Sequence, residues 1–157
     1  RRSVERRDAL ADIVRAVNVT FDPHKIADLI LERAASWVPA PCWAVVSSDL
    51  SGQLSILADR NLTPEMTQAV RVVAEWVMQT GDNFVSADLR SDPRANDPTV
   101  GAVVAFPLNS RGRRIGALVG FDRQASTREP RLGLSLLRGV RALVEPAAVA
   151  LDSALLL

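Results

Sequence analysis

Apolar residues recur along this chain in two rhythms, one helical and one alternating. Leu10, Ile13, Val14 and Val17 fall at i, i+3, i+4 and i+7 with arginine and aspartate between them, which predicts an amphipathic helix over residues 4–17. Asp22 and Pro23 then read as the N-cap and first position of a second helix. Its stripe of Ile26, Leu29, Ile30, Ala34 and Trp37 stops near Pro39 and Pro41. Residues 42–48 (CWAVVSS) and 53–59 (QLSILAD) are short apolar runs split by Asp49, Ser51 and Gly52, the pattern of an antiparallel hairpin. Both alternating faces of these strands are largely apolar, Trp43 and Val45 against Ala44 and Val46. Such a sheet is covered on both sides.

Thr63-Pro64 repeats the cap-plus-proline signal. Met66, Ala69, Val70, Val73, Trp76 and Val77 continue a third helix to Gly81, a C-terminal stop. Residues 81–98 (GDNFVSADLRSDPRANDP) break the apolar pattern with four aspartates, two arginines and two Asp-Pro pairs. A short strand fits residues 83–87, and a capped turn fits 88–94. Two apolar runs around Asn109-Ser110-Arg111-Gly112 form the clearest hairpin in the chain. From Arg131 onward Leu134, Leu137, Val140, Val144, Ala148, Leu151 and Leu155 mark a long final helix, with Pro146 placed to kink it or to start its second half. Nothing repeats internally and no segment is low in complexity.

Composition narrows the function classes. A chain of 157 residues with 48% hydrophobic residues fits one domain with a sizeable core. Nineteen Lys+Arg against eighteen Asp+Glu leave a net charge of +1, and the basic residues are dispersed, so direct nucleic-acid binding is not expected. The single cysteine, Cys42, excludes an internal disulfide and a multi-cysteine metal site and fits a reducing compartment, with the cytoplasm as the default. No apolar run reaches the roughly 18 to 20 residues of a membrane span, and no signal-peptide pattern opens the chain, so no membrane association is expected. The chain starts at Arg1 and stops inside an apolar helical pattern at Leu155, Leu156 and Leu157, which leads us to expect a piece of something longer.

The acidic stretch invites a metal or catalytic reading that its spacing does not support. Asp82, Asp88, Asp92 and Asp97 lie six, four and five residues apart, whereas calcium loops place ligands at every second residue around a glycine. Asp88 fits a cap, and Asp92 and Asp97 precede prolines as turn formers. His24 is the only histidine and lies in the first turn of the second helix, so a zinc site of nitrogen and sulfur ligands cannot reach its usual count. No nucleophile elbow accompanies that histidine, and Gly112, Gly116 and Gly120 do not form a phosphate loop. Arg111, Arg113 and Arg114 crowd the last hairpin, as a solvated turn or as a contact for an acidic partner surface.

Four elements in order resemble GAF domains, over roughly Leu10 to Leu155. KIADLILERAASWVPAPCWAVVSSD resembles the family's leading helix entering its first strand, and TGDNFVSADLRSDPR its Gly, apolar pair and Asp before a short helix. GAVVAFPLNSRGRRIGALVGFD is similar to its hairpin with Pro-Leu, a Gly turn and Ile-Gly-x-Leu, and ALVEPAAVALDSALL to its closing helix. The resemblance implies an α/β (α+β) fold in three layers, α-β-α. Its central, mostly antiparallel sheet has about six strands, with terminal helices on one face and pocket loops on the other. Residues 1–21 are then an N-terminal signalling and dimerisation helix, and 22–157 the GAF domain with its C-terminal helix.

The resemblance also implies a non-enzymatic sensory or regulatory domain that binds a small molecule or partner and signals through its terminal helices to an attached output domain. The alternative is a ligand-free fold used for homodimerisation or protein interaction. Methionine sulfoxide reduction by free-standing members requires more cysteines than Cys42, and the dispersed cyclic-nucleotide motif is not matched, since Lys25 is the only lysine. No particular cofactor is implied. Trp43 and Phe84 are the aromatic residues expected to line a pocket between sheet and loops, with Asp88 and Arg90 on its rim. A homodimer interface is expected through Leu10, Ile13, Val14, Val17, Val144, Leu151 and Leu155. The EPAAVALD pattern around Pro146 resembles GAF domains that precede enhancer-binding transcription activators, bacterial regulators of transcription.

Overall fold

The structure, a computed structural model, describes residues 22–37, 40–125 and 134–156. The helix expected over 4–17, with Leu10, Ile13, Val14 and Val17, lies outside the described residues. The elements run α1 (Pro23–Trp37), β1 (Cys42–Ser48), β2 (Leu54–Arg60), α2 (Thr67–Thr80), β3 (Phe84–Ser86), β4 (Val103–Ser110), β5 (Arg113–Phe121) and α3 (Leu134–Leu155). Short 3-10 turns at Pro64–Met66 and Leu89–Ser91 precede α2 and follow β3.

Local chemistry sets the boundaries of these elements. The Asp22 carboxylate accepts the His24 backbone N–H at 3.0 Å, the cap expected beside Pro23. Gly81 ends α2 in the left-handed region, φ 75°, with its N–H donating to the Val77 carbonyl at 2.9 Å. Arg111 and Gly112, at φ 53° and 76°, make the two-residue turn between β4 and β5, matching the right-handed twist of the strands. The Asp49 carboxylate collects the Ser51 and Gln53 N–H groups, each at 2.9 Å, and so builds the β1–β2 turn. α3 runs through Pro146, where the missing N–H leaves the Ala142 carbonyl without its helical donor.

The strands form one antiparallel sheet in the order β2-β1-β5-β4-β3. Among the described residues the sheet therefore has five strands, slightly fewer than the six or so expected. Between Ser86 and Val103 the two Asp-Pro pairs remove ladder donors and fix turn geometry, so this stretch forms turns and no further strand.

Each face of the sheet carries its own core. Trp43, Val45, Phe106, Leu108, Ile115 and Leu118 pack under α1 and α3. Ala44, Val46, Ala105, Ala117, Val119 and Phe121 pack under α2 and the loop after β3. From α2 the buried Val70, Val73 and Val77 complete the second core, each contributing about 1.5 to 3 kcal/mol of burial. Because neighbouring residues of a strand face opposite ways, the near-continuous apolar runs of β1, β4 and β5 are what a sheet buried on both sides requires.

Candidate functional site

The side of the sheet under α2 is where the sequence led us to expect a pocket, and residues 81–98 form its wall. Asp88 caps the 3-10 turn by accepting the Arg90 N–H at 3.2 Å, and the Arg90 guanidinium returns to the same carboxylate at 2.9 Å. This hydrogen bond from the Arg90 side chain pulls the Asp88 carboxyl below its ordinary range, while the carboxylate raises the guanidinium. Asp97 accepts the N–H of Thr99 at 2.8 Å and is bonded to its hydroxyl. Three of the four aspartates therefore organise turns, since Asp92 does the same for the Arg94 N–H at 3.0 Å.

Behind this wall the space is filled. Phe84 and Leu89 are fully buried. Among Ala69, Val70, Val73, Leu89, Val100 and Val119 there is no room for a water molecule. Phe84 meets Trp76 of α2 edge to face, with ring centres 5.2 Å apart and planes at 84°. The Arg94 guanidinium sits over the Phe84 ring at 3.9 Å and 5.3 Å from the Trp76 ring. It forks onto Asp92 at 2.7 and 3.0 Å and donates to the Val85 carbonyl at 2.7 Å. The Arg94 hydrogen bonds hold the Asp92 carboxyl down to about 2, outweighing its partial burial, with Ser86 assisting.

The residues expected to act together do not all meet. Phe84 lies on the α2 side, and Asp88 pairs with Arg90 at the surface. Trp43 turns the opposite way: it is fully buried in the core under α1 and α3. Its partner in the β1–β5 register is Gly120, where a Cβ would come within 2.8 Å of the indole ring. Trp43, expected beside Phe84 in a pocket between sheet and loops, therefore stands apart from it, because strand parity sends Trp43 and Ala44 to different faces. Val144 and Leu151, expected at a dimer interface, are both buried against the sheet and α1 within the same chain. Leu155 remains 40% exposed, and Val149 of α3 and Leu156, just past its end, join it at the surface.

A second arrangement ties the two helical layers to the last hairpin. Asp152 of α3, 5% exposed, accepts the Ser110 hydroxyl at 2.9 Å and the Arg113 guanidinium at 2.8 Å. Arg114 points to the other face and donates to the Met78 and Gln79 carbonyls at 2.7 and 3.1 Å, the open end of α2. Sequence reasoning missed Asp152, Trp76 and Arg94 as site residues. Asp152 carried a signal, since it stands four residues after Ala148 on an apolar stripe. A groove of about 300 Å³ also opens between α3 and the edge of β4, lined by Asp82, Phe106, Pro107, Arg141, Val144 and Glu145 among others.

Reactive groups are sparse among the described residues. Cys42 is buried, and burial, reinforced by Asp122, pushes its thiol up. His24 is exposed, with Nδ1 2.9 Å from the Leu57 carbonyl oxygen. No three His, Cys, Asp or Glu side chains among the described residues are grouped to hold a metal ion. No described helix is long and apolar enough to cross a membrane.

No family model matches this sequence, and no curated protein does. The solved structures do. The GAF domain of an Acinetobacter phosphoenolpyruvate-protein phosphotransferase matches with a TM-score of 0.73 at 16% identity, over 96% of this chain and 95% of that one. The GAF domain of a putative sensor histidine kinase from Pseudomonas syringae matches at 0.68 and 14%, over 98% and 91%. A free methionine-R-sulfoxide reductase from Neisseria meningitidis, in complex with its substrate, matches at 0.65 and 15%, over 96% and 90%. The chain has a GAF-like fold.

Proposed function

We propose that this domain is a sensory or regulatory module without catalytic activity, in which events on the α2 side of the sheet reach α3 and, through it, an attached output domain. The observation that carries this reading is the hairpin connection: Arg113 holds buried Asp152 of α3 while Arg114 holds the end of α2. A displacement of either helix changes the seat of the other through two adjacent residues of one strand. Phe84, Asp88 and Arg90 remain the candidates for the ligand side. The sensor-kinase and phosphotransferase contexts of similarly folded domains support the regulatory part. The single buried cysteine supports the non-enzymatic part, and a cytoplasmic setting agrees with it.

Homodimerisation is proposed through the exposed apolar residues Val149 and Leu155 of α3 and Leu156 just past its end, together with the N-terminal stripe of Leu10, Ile13, Val14 and Val17. Native mass spectrometry of the purified chain tests the dimer and ligand together. A dimer mass, with added mass from a bound small molecule, is the expected result; a monomer without additional mass contradicts both.

A second reading is favoured by the filled space under α2: a ligand-free fold that serves only as an interaction module. It keeps the dimer and removes the bound molecule. The same spectrum separates the two readings.

A further inference from the structure

The Arg94 guanidinium occupies a corner whose other walls recognise flat cations. The Phe84 and Trp76 rings stand at 84°, so their faces and edges form two sides. The Asp92 carboxylate, on a side chain only 9% exposed, and the Val85 carbonyl form the polar end. These walls come from α2, β3 and the loop that follows. We propose that this corner is a binding site for a small guanidinium compound, held shut by Arg94 as the domain's own occupant.

Three observations carry it. The recognition chemistry combines an aromatic face at 3.9 Å, a forked carboxylate and the Val85 carbonyl acceptor. Arg94 is also the replaceable part of the packing, with a third of its side chain exposed, whereas Phe84 and Leu89 are fully buried. Its carboxylate partner is two residues away in the same loop, and neither residue belongs to a strand of the sheet. Finally, the packing among Val70, Val73, Leu89 and Val100 under α2 leaves no room for water, so a ligand entering there needs a side chain to move. The inference deepens the sensory reading and rests on it for what binding achieves; binding itself is measured separately.

The ligand competes with an intramolecular guanidinium, so the intact domain binds more weakly than one lacking Arg94, by the reciprocal of the open fraction. The test is titration of the whole chain with methylguanidinium, read at the Trp76 indole N–H resonance, which Trp76→Phe identifies. Methylammonium at equal ionic strength is the comparator, with the same charge and no plane. The wild type should show a saturable shift with a Kd on the order of 10 mM. Arg94→Ala should tighten it about tenfold, and adding Asp92→Asn to that variant should weaken it by about tenfold or more. If Arg94→Ala does not fold, Arg94→Lys, which cannot fork onto the carboxylate, takes its place with the same ordering. A wild-type response no different from that to methylammonium overturns the proposal, as does binding that is indifferent to Asp92. Binding that leaves the amide exchange of α3 unchanged supports the site and contradicts the sensory reading.

Discussion

Arg113 and Arg114 are neighbours at the start of β5, yet they bind helices on opposite faces of the sheet. Arg113 reaches Asp152 of α3 at 2.8 Å, and Arg114 reaches the Met78 carbonyl at the end of α2 at 2.7 Å. The period of a strand produces this division directly. A double-mutant cycle of Arg114→Ala with Asp152→Ala measures whether it matters. We expect a coupling of at least about 0.5 kcal/mol in chemical denaturation, because both substitutions loosen one hairpin. Additivity within about 0.3 kcal/mol would show two independent fastenings.

Asp152 is the more sensitive end of this connection. Asp152→Ala leaves the buried Ser110 hydroxyl, 1% exposed, and the Arg113 guanidinium without their acceptor. The expected loss is about 1 to 3 kcal/mol in denaturant unfolding. Ser110→Ala in the same background should cost little more, since its partner is already gone.

Asp92 sets an acid limit. Its folded-state carboxyl lies near 2, below the ordinary value of 3.8, chiefly because Arg94 donates to it. A lowered folded pKa means that the stabilisation is fully present above about pH 4 and is lost as pH falls toward about 2. Asp92→Asn should remove that part of the acid-unfolding curve while leaving the slope near pH 7 unchanged. A variant with the wild-type acid profile would place the stabilisation elsewhere.

The exposed and buried valines of α3 should separate stability from association. Val144→Ala should lower stability by about 1 to 3 kcal/mol, since Val144 is 5% exposed in the core. Val149→Asp changes a residue 39% exposed and should shift stability by no more than about 0.5 kcal/mol. It should also weaken any dimer, as sedimentation would show. A Val144→Ala protein of full stability would contradict the packing described.

Gly120 and Trp43 fit by mutual allowance. Gly120→Ala would press a methyl group into the indole and should cost about 1 to 3 kcal/mol, with a blue or red shift in Trp43 emission. The buried Trp43 Nε1–H has no hydrogen-bond partner among the described residues, so Trp43→Phe removes an unsatisfied donor along with the lost ring area. Combined with Trp43→Phe, Gly120→Ala should be milder than alone.

Much of this fold was legible because its signals are local. Asp22-Pro23, Gly81 and Arg111-Gly112 each fix a boundary through their own backbone chemistry. Apolar runs on both faces of the first hairpin announced a sheet covered twice; β1 is buried on both faces, whereas β2, at the edge of the sheet, is only partly buried. The site was less legible because its pairings are not local. Trp43 and Ala44 are both apolar, and sequence alone does not say which face each will occupy; the register with Gly120 and Val119 does. Val144 and Leu151 lie on a stripe that could serve a core or a partner, and only the docking of α1 and the sheet decides between them. Arg94 looked like one loop arginine among several until Phe84 and Trp76, from different elements, met beneath it.

The connection between the two faces is tested most directly by amide hydrogen exchange in Arg114→Ala. Arg114 hydrogen-bonds the end of α2, yet faster exchange is expected in α3 around Asp152 as well as in the last turn of α2. Changes confined to the end of α2 and the β4–β5 turn would contradict it.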